Sequence, residues 1–363
     1  MGLKKTWPTV VLPNDVSLST NYKPNLVAQM QQLHDALIAV GLIQTTDTGQ
    51  ITDFSTIVVA SGDWYHNKLH GYRVYRMNDS LASTSPIFIK VLYRTRFMYQ
   101  THSPHFFTCG LIVGSGSDGA GNIISASDEI ATIGVGFTAN PSSGSVSDGS
   151  YIYKAGAFNS YAYADDGVVW IVMAAGAVKQ ASLANTAKRP VVSEGYPLFS
   201  FCISRFADET GAALPGVVHV FTSPDPSMIN GTGDADAGYT YNPVIPQCYT
   251  HDLTTGTTKQ TSTPSARPCS DAVSTINGGI AVGKIFGLVG TQMRTAIGIA
   301  AVSAMSVNTG DTMSISLEGI GNEKLFFIPW RNAPAFEYAN RDFPLANSTR
   351  IDTMMLQWDG DFI

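Results

Sequence analysis

Two histidine pairs have the most suggestive spacing in this sequence. His66 and His70 stand four residues apart, and His102 and His105 flank Ser103-Pro104. An i, i+4 pair on a helix converges on one metal ion. Gly62 and Gly71 bracket the first pair closely, however, and no third histidine or cysteine stands at a suitable spacing. Packing in an aromatic-rich loop, with Trp64 and Tyr65, is the better reading. Asp234-Ala-Asp236-Ala-Gly238 opens like a calcium loop. An EF-hand needs a bidentate glutamate at its twelfth position, and Ile245 stands there. That leaves at most a weak, irregular calcium site. Gly114-Ser-Gly116-Ser-Asp-Gly119 spells a dinucleotide fingerprint, but the fingerprint needs a helix directly after it. Here the chain continues Ala120-Gly-Asn-Ile-Ile124, which is turn and strand. The glycines read instead as turn residues with positive φ. Asp128 and Glu129 are adjacent, so on a strand they face opposite ways and cannot share a substrate. Asp165-Asp166 reads as a turn. No nucleophile elbow, P-loop or His-Glu-x-x-His helix occurs. The sequence therefore predicts no catalytic residue, no cofactor and no catalytic metal, hence not an enzyme.

Composition narrows the class further. Of 363 residues 44% are apolar and only 14% charged, with 34 Gly and 18 Pro. That is rich in turns and poor in the residues that coat helical surfaces, which favours an all-β fold. Sparse surface charge is better tolerated where neighbours in an assembly cover the surface. The net charge is −6, and no basic cluster exceeds Lys4-Lys5 or Lys188-Arg189. A nucleic-acid surface is not expected. Apolar runs such as Ile297 to Val302 are too short for membrane insertion. Pro8 and Pro13 interrupt the apolar patch of the N-terminus, so it does not read as a signal peptide. Cys109 and Cys202 sit in apolar strand patterns and read as buried thiols. Cys248 and Cys269 flank a Thr-rich loop, and whether they pair is left open.

The elements follow from periodicity. Residues 1–24 read as an extended arm, because Pro8, Pro13 and Pro24 argue against a helix there. Residues 25–40 form the one amphipathic helix, with Leu26, Met30, Leu33, Leu37 and Val40 on one face and Gly41 as its stop. That narrow seam suits packing on the chain's own sheet or self-association around a symmetry axis. A short strand is expected over residues 55–60, within a connecting segment that ends at residue 70. The chain is organised around residues 71–124. Ile87, Ile89 and Val91 alternate with Phe88, Lys90 and Leu92, and Phe107, Cys109, Leu111 and Val113 repeat the pattern. Residues 71–205 read as a β-sandwich core with turns such as Asp165-Asp-Gly167. Tyr151, Tyr153, Tyr161 and Tyr163 recur at period 2, a stripe that would suit a stacked glycan or plain sheet packing. Residues 206–275, rich in Pro, Thr and Gly, read as a long loop excursion. Residues 276–363 return to strands and end in an aromatic segment holding Trp330, Trp358 and Phe362.

The stretch GYRVYRMNDSLASTSPIFIKVLY, followed by a strand and VGSGSDGAGNI, resembles a recurrent family of tailed-bacteriophage virion structural proteins. The preceding MQQLHDALIAVGLIQTTDTGQITD is similar to that family's lead-in, and FFIPWRNAP is a weaker echo. The resemblance covers about the first third of the chain. It implies a place in a virion, in the tail, baseplate or head-tail region, assembled in the bacterial host cytoplasm. It implies no defined activity and no catalytic residue.

The expected fold is therefore mainly β, an antiparallel β-sandwich or open, jelly-roll-like barrel with one N-terminal amphipathic helix. The expected function is that of a structural subunit. The alternative is a receptor- or carbohydrate-binding module on the same particle. The expected partners are other virion proteins, further copies of the chain in a ring of three or six, and, on the alternative, a host-surface glycan. The candidate contact residues are Leu26, Met30, Leu33, Leu37, Val40, Trp330, Trp358 and Phe362.

Overall fold

The structure is a computed structural model. It describes residues 3–8, 22–58, 68–97, 105–132, 151–155, 159–181, 196–222, 247–261, 273–275, 280–304, 312–317, 321–328 and 351–358. In chain order, β1 (Leu3–Pro8), α1 (Tyr22–Ala39) and β2 (Ile43–Gln44) precede a 3-10 turn at Phe54–Thr56. β3 (Lys68–Arg76), β4 (Phe88–Phe97), β5 (His105–Gly114), β6 (Gly116–Ser117), β7 (Ile123–Ile124) and β8 (Ile130–Thr132) follow. Next come β9 (Tyr151–Ala155), β10 (Asn159–Asp165), β11 (Val168–Ala181), β12 (Tyr196–Ala207), β13 (Ala213–Thr222), β14 (Gln247–Asp252) and β15 (Thr258–Thr261). The last are β16 (Val273–Thr275), β17 (Ile280–Val289), β18 (Gln292–Ala304), β19 (Thr312–Leu317), β20 (Gly321–Ile328) and β21 (Ile351–Trp358).

Two antiparallel sheets organise these strands. The smaller has five, in the order β2-β3-β4-β5-β8. The larger has fourteen, on the path β1-β10-β11-β12-β18-β21-β20-β19. On it β9 pairs with β11, β13-β14-β15 branch from β12, and β16-β17 branch from β18. β6 and β7 form a separate two-stranded ribbon. The fold is mainly β with one helix near the N-terminus, as the periodicity predicts. Both sheets are open, and neither closes into a barrel.

The core joins one face of each sheet to the helix. Tyr75 opposes Ile89, which opposes Val113, and Val91 opposes Leu111, so these residues share a face. On the larger sheet Ala162, Ile171 and Phe201 stand in one row, and Val169, Ile203 and Val220 in the next. All belong to one buried cluster. The helix adds Leu26, Met30, Leu33, Leu37 and Val40 to it, each at most 2% exposed. The seam is thus packed inside its own chain. These five residues are corrected from candidate contact residues to core residues, because the sheets already fill their contact surface.

The helix also begins earlier than expected, at Tyr22. Pro24 falls in its first turn, where the backbone N–H has no intrahelical partner to lose. Its end is a Schellman turn. Leu42 N donates to Leu37 O (3.1 Å) and Gly41 N to Ile38 O (2.9 Å), with Gly41 at φ 91. The strand expected at residues 55–60 is absent over residues 55–58. Asp53 caps a 3-10 turn there, accepting from Ser55 N at 2.7 Å. The reading of 206–275 as a loop excursion is corrected as well. β13, β14 and β15 lie within it, paired in register from Val217 opposite Asp252 to Thr222 opposite Gln247.

Leu33 and Ile38 discriminate core from surface on the same helix. Leu33→Ala is expected to cost about 2–5 kcal/mol in urea unfolding, as buried Leu truncations do. Ile38 is 41% exposed, and Ile38→Ala should change stability by no more than about 0.5 kcal/mol. A Leu33→Ala chain that keeps its stability and only dissociates an oligomer would return the seam to an intermolecular contact.

Candidate functional site

The polar side chains gather at three places. The first is a strap over the outer face of the five-stranded sheet. After β2, Thr45 N donates to Val74 O and Ile51 N to Tyr72 O, both at 3.0 Å. Between those bonds the chain bulges, and Gln50 Oε1 takes Val74 N at 2.8 Å. The bulge holds Asp47 over the β6–β7 ribbon. Its carboxylate accepts from the hydroxyls of Thr45 and Ser117 and from Gly121 N at 3.3 Å. Burial disfavours the Asp47 charge, but the Ser117, Thr45 and Gly121 hydrogen bonds outweigh it and hold the carboxyl below its usual value. Tyr72 directs its hydroxyl at Thr48 O (2.8 Å) and Ala120 O (3.1 Å). Lys90 donates to Gly121 O at 2.7 Å and stands 4.0 Å above the Tyr72 ring. Of the dinucleotide-like glycines only Gly119 takes a positive φ, 81; Gly114 ends β5 and Gly116 lies in β6, and a Cβ on Gly114 would collide with Ile123 and the Ile124 carbonyl. Just after the motif Gly121 has φ 84, and a Cβ there would collide with the Tyr72 ring.

The second place is the junction between sheets. Asp79, in the β3–β4 connection, meets Arg205 of β12. Arg205 Nε lies 2.6 Å from Asp79 Oδ2, and Nη2 lies 3.1 Å from Oδ1. Nη2 also donates to Ser85 O at 2.6 Å. The two side chains are 0% and 2% exposed. Beside them Ser80 N donates to Asp166 Oδ1 (2.7 Å) and Gly216 N to Ser85 Oγ (3.1 Å). Farther along, buried His251 bridges Ser125 O (2.8 Å) and the Thr258 hydroxyl (2.9 Å). Ser125 has φ 47, the one positive value on a non-glycine among the described residues.

The third place lies under the helix. His34 Nδ1 is 2.9 Å from Tyr75 OH, which is 2.9 Å from Tyr93 OH. Phe54 packs on Tyr93 at 4.6 Å between ring centroids, and the Arg73 guanidinium sits 4.2 Å over Phe54. Arg73 donates to the carbonyls of Ile51 and Thr52 at 2.8 and 3.0 Å. Burial, and then the Arg73 charge, lower the His34 pKa to about 4, against a smaller opposing pull from Asp35. The ring is therefore neutral near pH 7, and its Nδ1 shares a hydrogen bond with the Tyr75 hydroxyl whose direction follows the tautomer. Burial raises the Tyr75 and Tyr93 hydroxyls above their usual range, so both stay protonated.

None of these arrangements has the form of a catalytic constellation. The buried carboxylates, His34 and His251 are engaged by hydroxyls, amides, carbonyls or a guanidinium of the same chain. Among the described residues no three His, Cys, Asp or Glu side chains converge as a metal set. His70 lies in β3 and His105 in β5, while His66 and His102 lie outside the described residues. Asp234 and Asp236 also lie outside them. Asp128 precedes β8, and Glu129 is paired with Arg94 at 2.7 Å. Tyr163 is 4% exposed, which removes it from an exposed stacking stripe. Cys109 and Cys202 are buried free thiols. Cys248 lies in β14, and Cys269 lies outside the described residues. Trp358 ends β21 opposite Lys324, and Trp330 and Phe362 lie outside the described residues. No helix among the described residues is long and apolar enough to cross a membrane. Sequence reading missed Asp79, Arg205, His251 and Asp47. Asp79 and Arg205 stand 126 residues apart, as do His251 and Ser125, and Asp47 stands 70 and 74 residues from Ser117 and Gly121; no local pattern marks these pairs. No family model, no curated protein and no solved structure matches this chain.

Two outcomes follow for stability. Asp79→Ala leaves a buried, uncompensated guanidinium and is expected to cost about 3–5 kcal/mol, whereas Asp79→Leu combined with Arg205→Met should recover most of it. Denaturant midpoints of the three chains check this. The His34 shift fixes a sign with pH. The unfolded chain binds a proton near 6.5 and the folded one near 4, so between those values the unfolded state holds more protons. Stability should fall as pH drops from about 6.5 to about 4. His34→Gln should reduce that slope by up to one proton. An unchanged slope in the midpoint against pH would rule out His34 as a contributor.

Proposed function

We propose that this chain is a structural subunit of a tailed-bacteriophage virion, in the tail, baseplate or head-tail region, acting through protein–protein assembly. The observation that carries the reading is the stretch resembling that family, residues 71–124 with its lead-in. It corresponds to a coherent unit: β3, β4, β5, the strap and the helix that packs on them. The remaining support is physical. A chain with 14% charged residues is better served by covered surface than by free solvent. Among the described residues the buried Asp79, Arg205, Asp47 and His251 side chains bond to groups of the same chain. The larger sheet is long and open, and β15 and β19 each have one partner among the described residues. Such edges are natural places for another chain. The homo-oligomer and contacts with other virion proteins belong to this proposal, as do Trp330, Trp358 and Phe362 as contact residues.

The test is compositional. Mass spectrometry of washed, gradient-purified particles should find the chain at a fixed copy number. Light scattering should find the isolated chain larger than a monomer. A monomeric chain that is also absent from the particles would overturn the reading.

A further inference from the structure

The first strand and the edge it completes point to a specific partner. Among the described residues β1 pairs with β10 alone, from Leu3 opposite Ala164 to Pro8 opposite Asn159. The other edge of β10 is taken by β11. Without β1, that side of β10 would offer unpaired main-chain donors and acceptors. An antiparallel ladder is made by main-chain bonds. It sets a register, but not which copy of the chain supplies the strand. Residues 9–21 connect β1 to α1. Thirteen residues reach about 45 Å at full extension, beyond the roughly 30 Å diameter of a small domain. The helix itself is anchored, because its seam residues are at most 2% exposed in the core of their own chain. Any exchange therefore involves the strand and not the helix.

We propose that β1 is an exchangeable arm, and that in the assembled state the arm of one copy completes the β10 edge of the next. This rests on the assembly reading above. Exchange keeps the same six register pairs, so little separates the two states except the connection. A tethered arm competes for its own edge at an effective concentration on the order of millimolar. Subunits fixed side by side bring a neighbour's edge to comparable concentration, whereas dilute chains do not. Swapping an identical element is a low-cost route to oligomers.

Thr6 and Tyr161 are direct partners across the ladder. A Thr6→Cys chain and a Tyr161→Cys chain are coexpressed in cells producing particles, and the purified particles are oxidised. A disulfide-linked peptide joining positions 6 and 161 can then come only from two chains. That peptide is the expected result. Particles containing both chains but no such peptide, while the doubly substituted chain links at monomer mass, overturn the proposal. A doubly substituted chain that fails to link also overturns it, since the pairing itself is then missing. If the chain is absent from particles, the assembly reading fails separately. The same pair of variants, mixed at high concentration as isolated protein, then decides exchange by the same peptide.

Discussion

The Asp79–Arg205 ion pair is the constraint on which the relation of the two sheets depends. Removing a carboxylate and a guanidinium from water costs several kcal/mol for each. Good geometry offsets that cost: here the contact is bidentate, with Ser85 O taking a further donor, while Arg205 Nη1 is buried without a partner. The pair therefore tolerates one docking position and penalises others steeply. Around it, main-chain groups follow the same placement. Arg205 N donates to Gly167 O, Ser80 N to Asp166, and Gly216 N to Ser85. The β3–β4 connection is in effect a plug in the larger sheet. Once it is seated, the apolar faces of both sheets meet across the helix. The nonspecific part of the stability lies in that apolar contact, and the choice of one arrangement lies in the ion pair.

How far the sequence could be read depends on the range of the interaction. Period-2 alternation is local, so Ile89, Val91, Leu111 and Val113 were legible as one buried face. The helix seam and the Gly41 stop were legible for the same reason. The misreadings came where a local rule competed with another. At residues 54–56 the Asp53 cap, with both carboxylate oxygens on Ser55, prevailed over strand propensity in Thr56, Ile57 and Val58. β13 contains a Pro215-Gly216 pair. The β12–β13 register shows why it is tolerated. Pairing jumps from Arg205 opposite Val218 to Ala207 opposite Ala213. Pro215 and Gly216 fall in that irregularity, where a missing N–H removes no ladder bond and Gly216 can take φ 86. The polar junctions were illegible in principle. A lone Asp and a lone Arg separated by more than a hundred residues become a pair only through the topology.

Among the described residues, His34, His251, Asp47 and Asp118 fill structural positions. A general base needs a lone pair free for the substrate proton, and a nucleophile needs a neighbour that takes its own. His251 uses both ring nitrogens, and His34 Nδ1 is held by Tyr75. Asp47 has three donors, and Asp118 is closed by Ala120 and Asn122. Burial strengthens the bonds of Asp47 and His251 and also fixes the cost of breaking them, whereas Asp118 is exposed. For such groups to act on a substrate, the strap or the sheet junction would have to open first. An open antiparallel sheet has a different kind of unsatisfied capacity. Its interior strands are saturated, but every edge strand carries a row of main-chain groups on its outer side. Water can satisfy that row, and so can a strand from another chain, with side chains on alternate positions setting which strand fits. Among the described residues β15 and β19 have such an outer side, each being paired along one edge only.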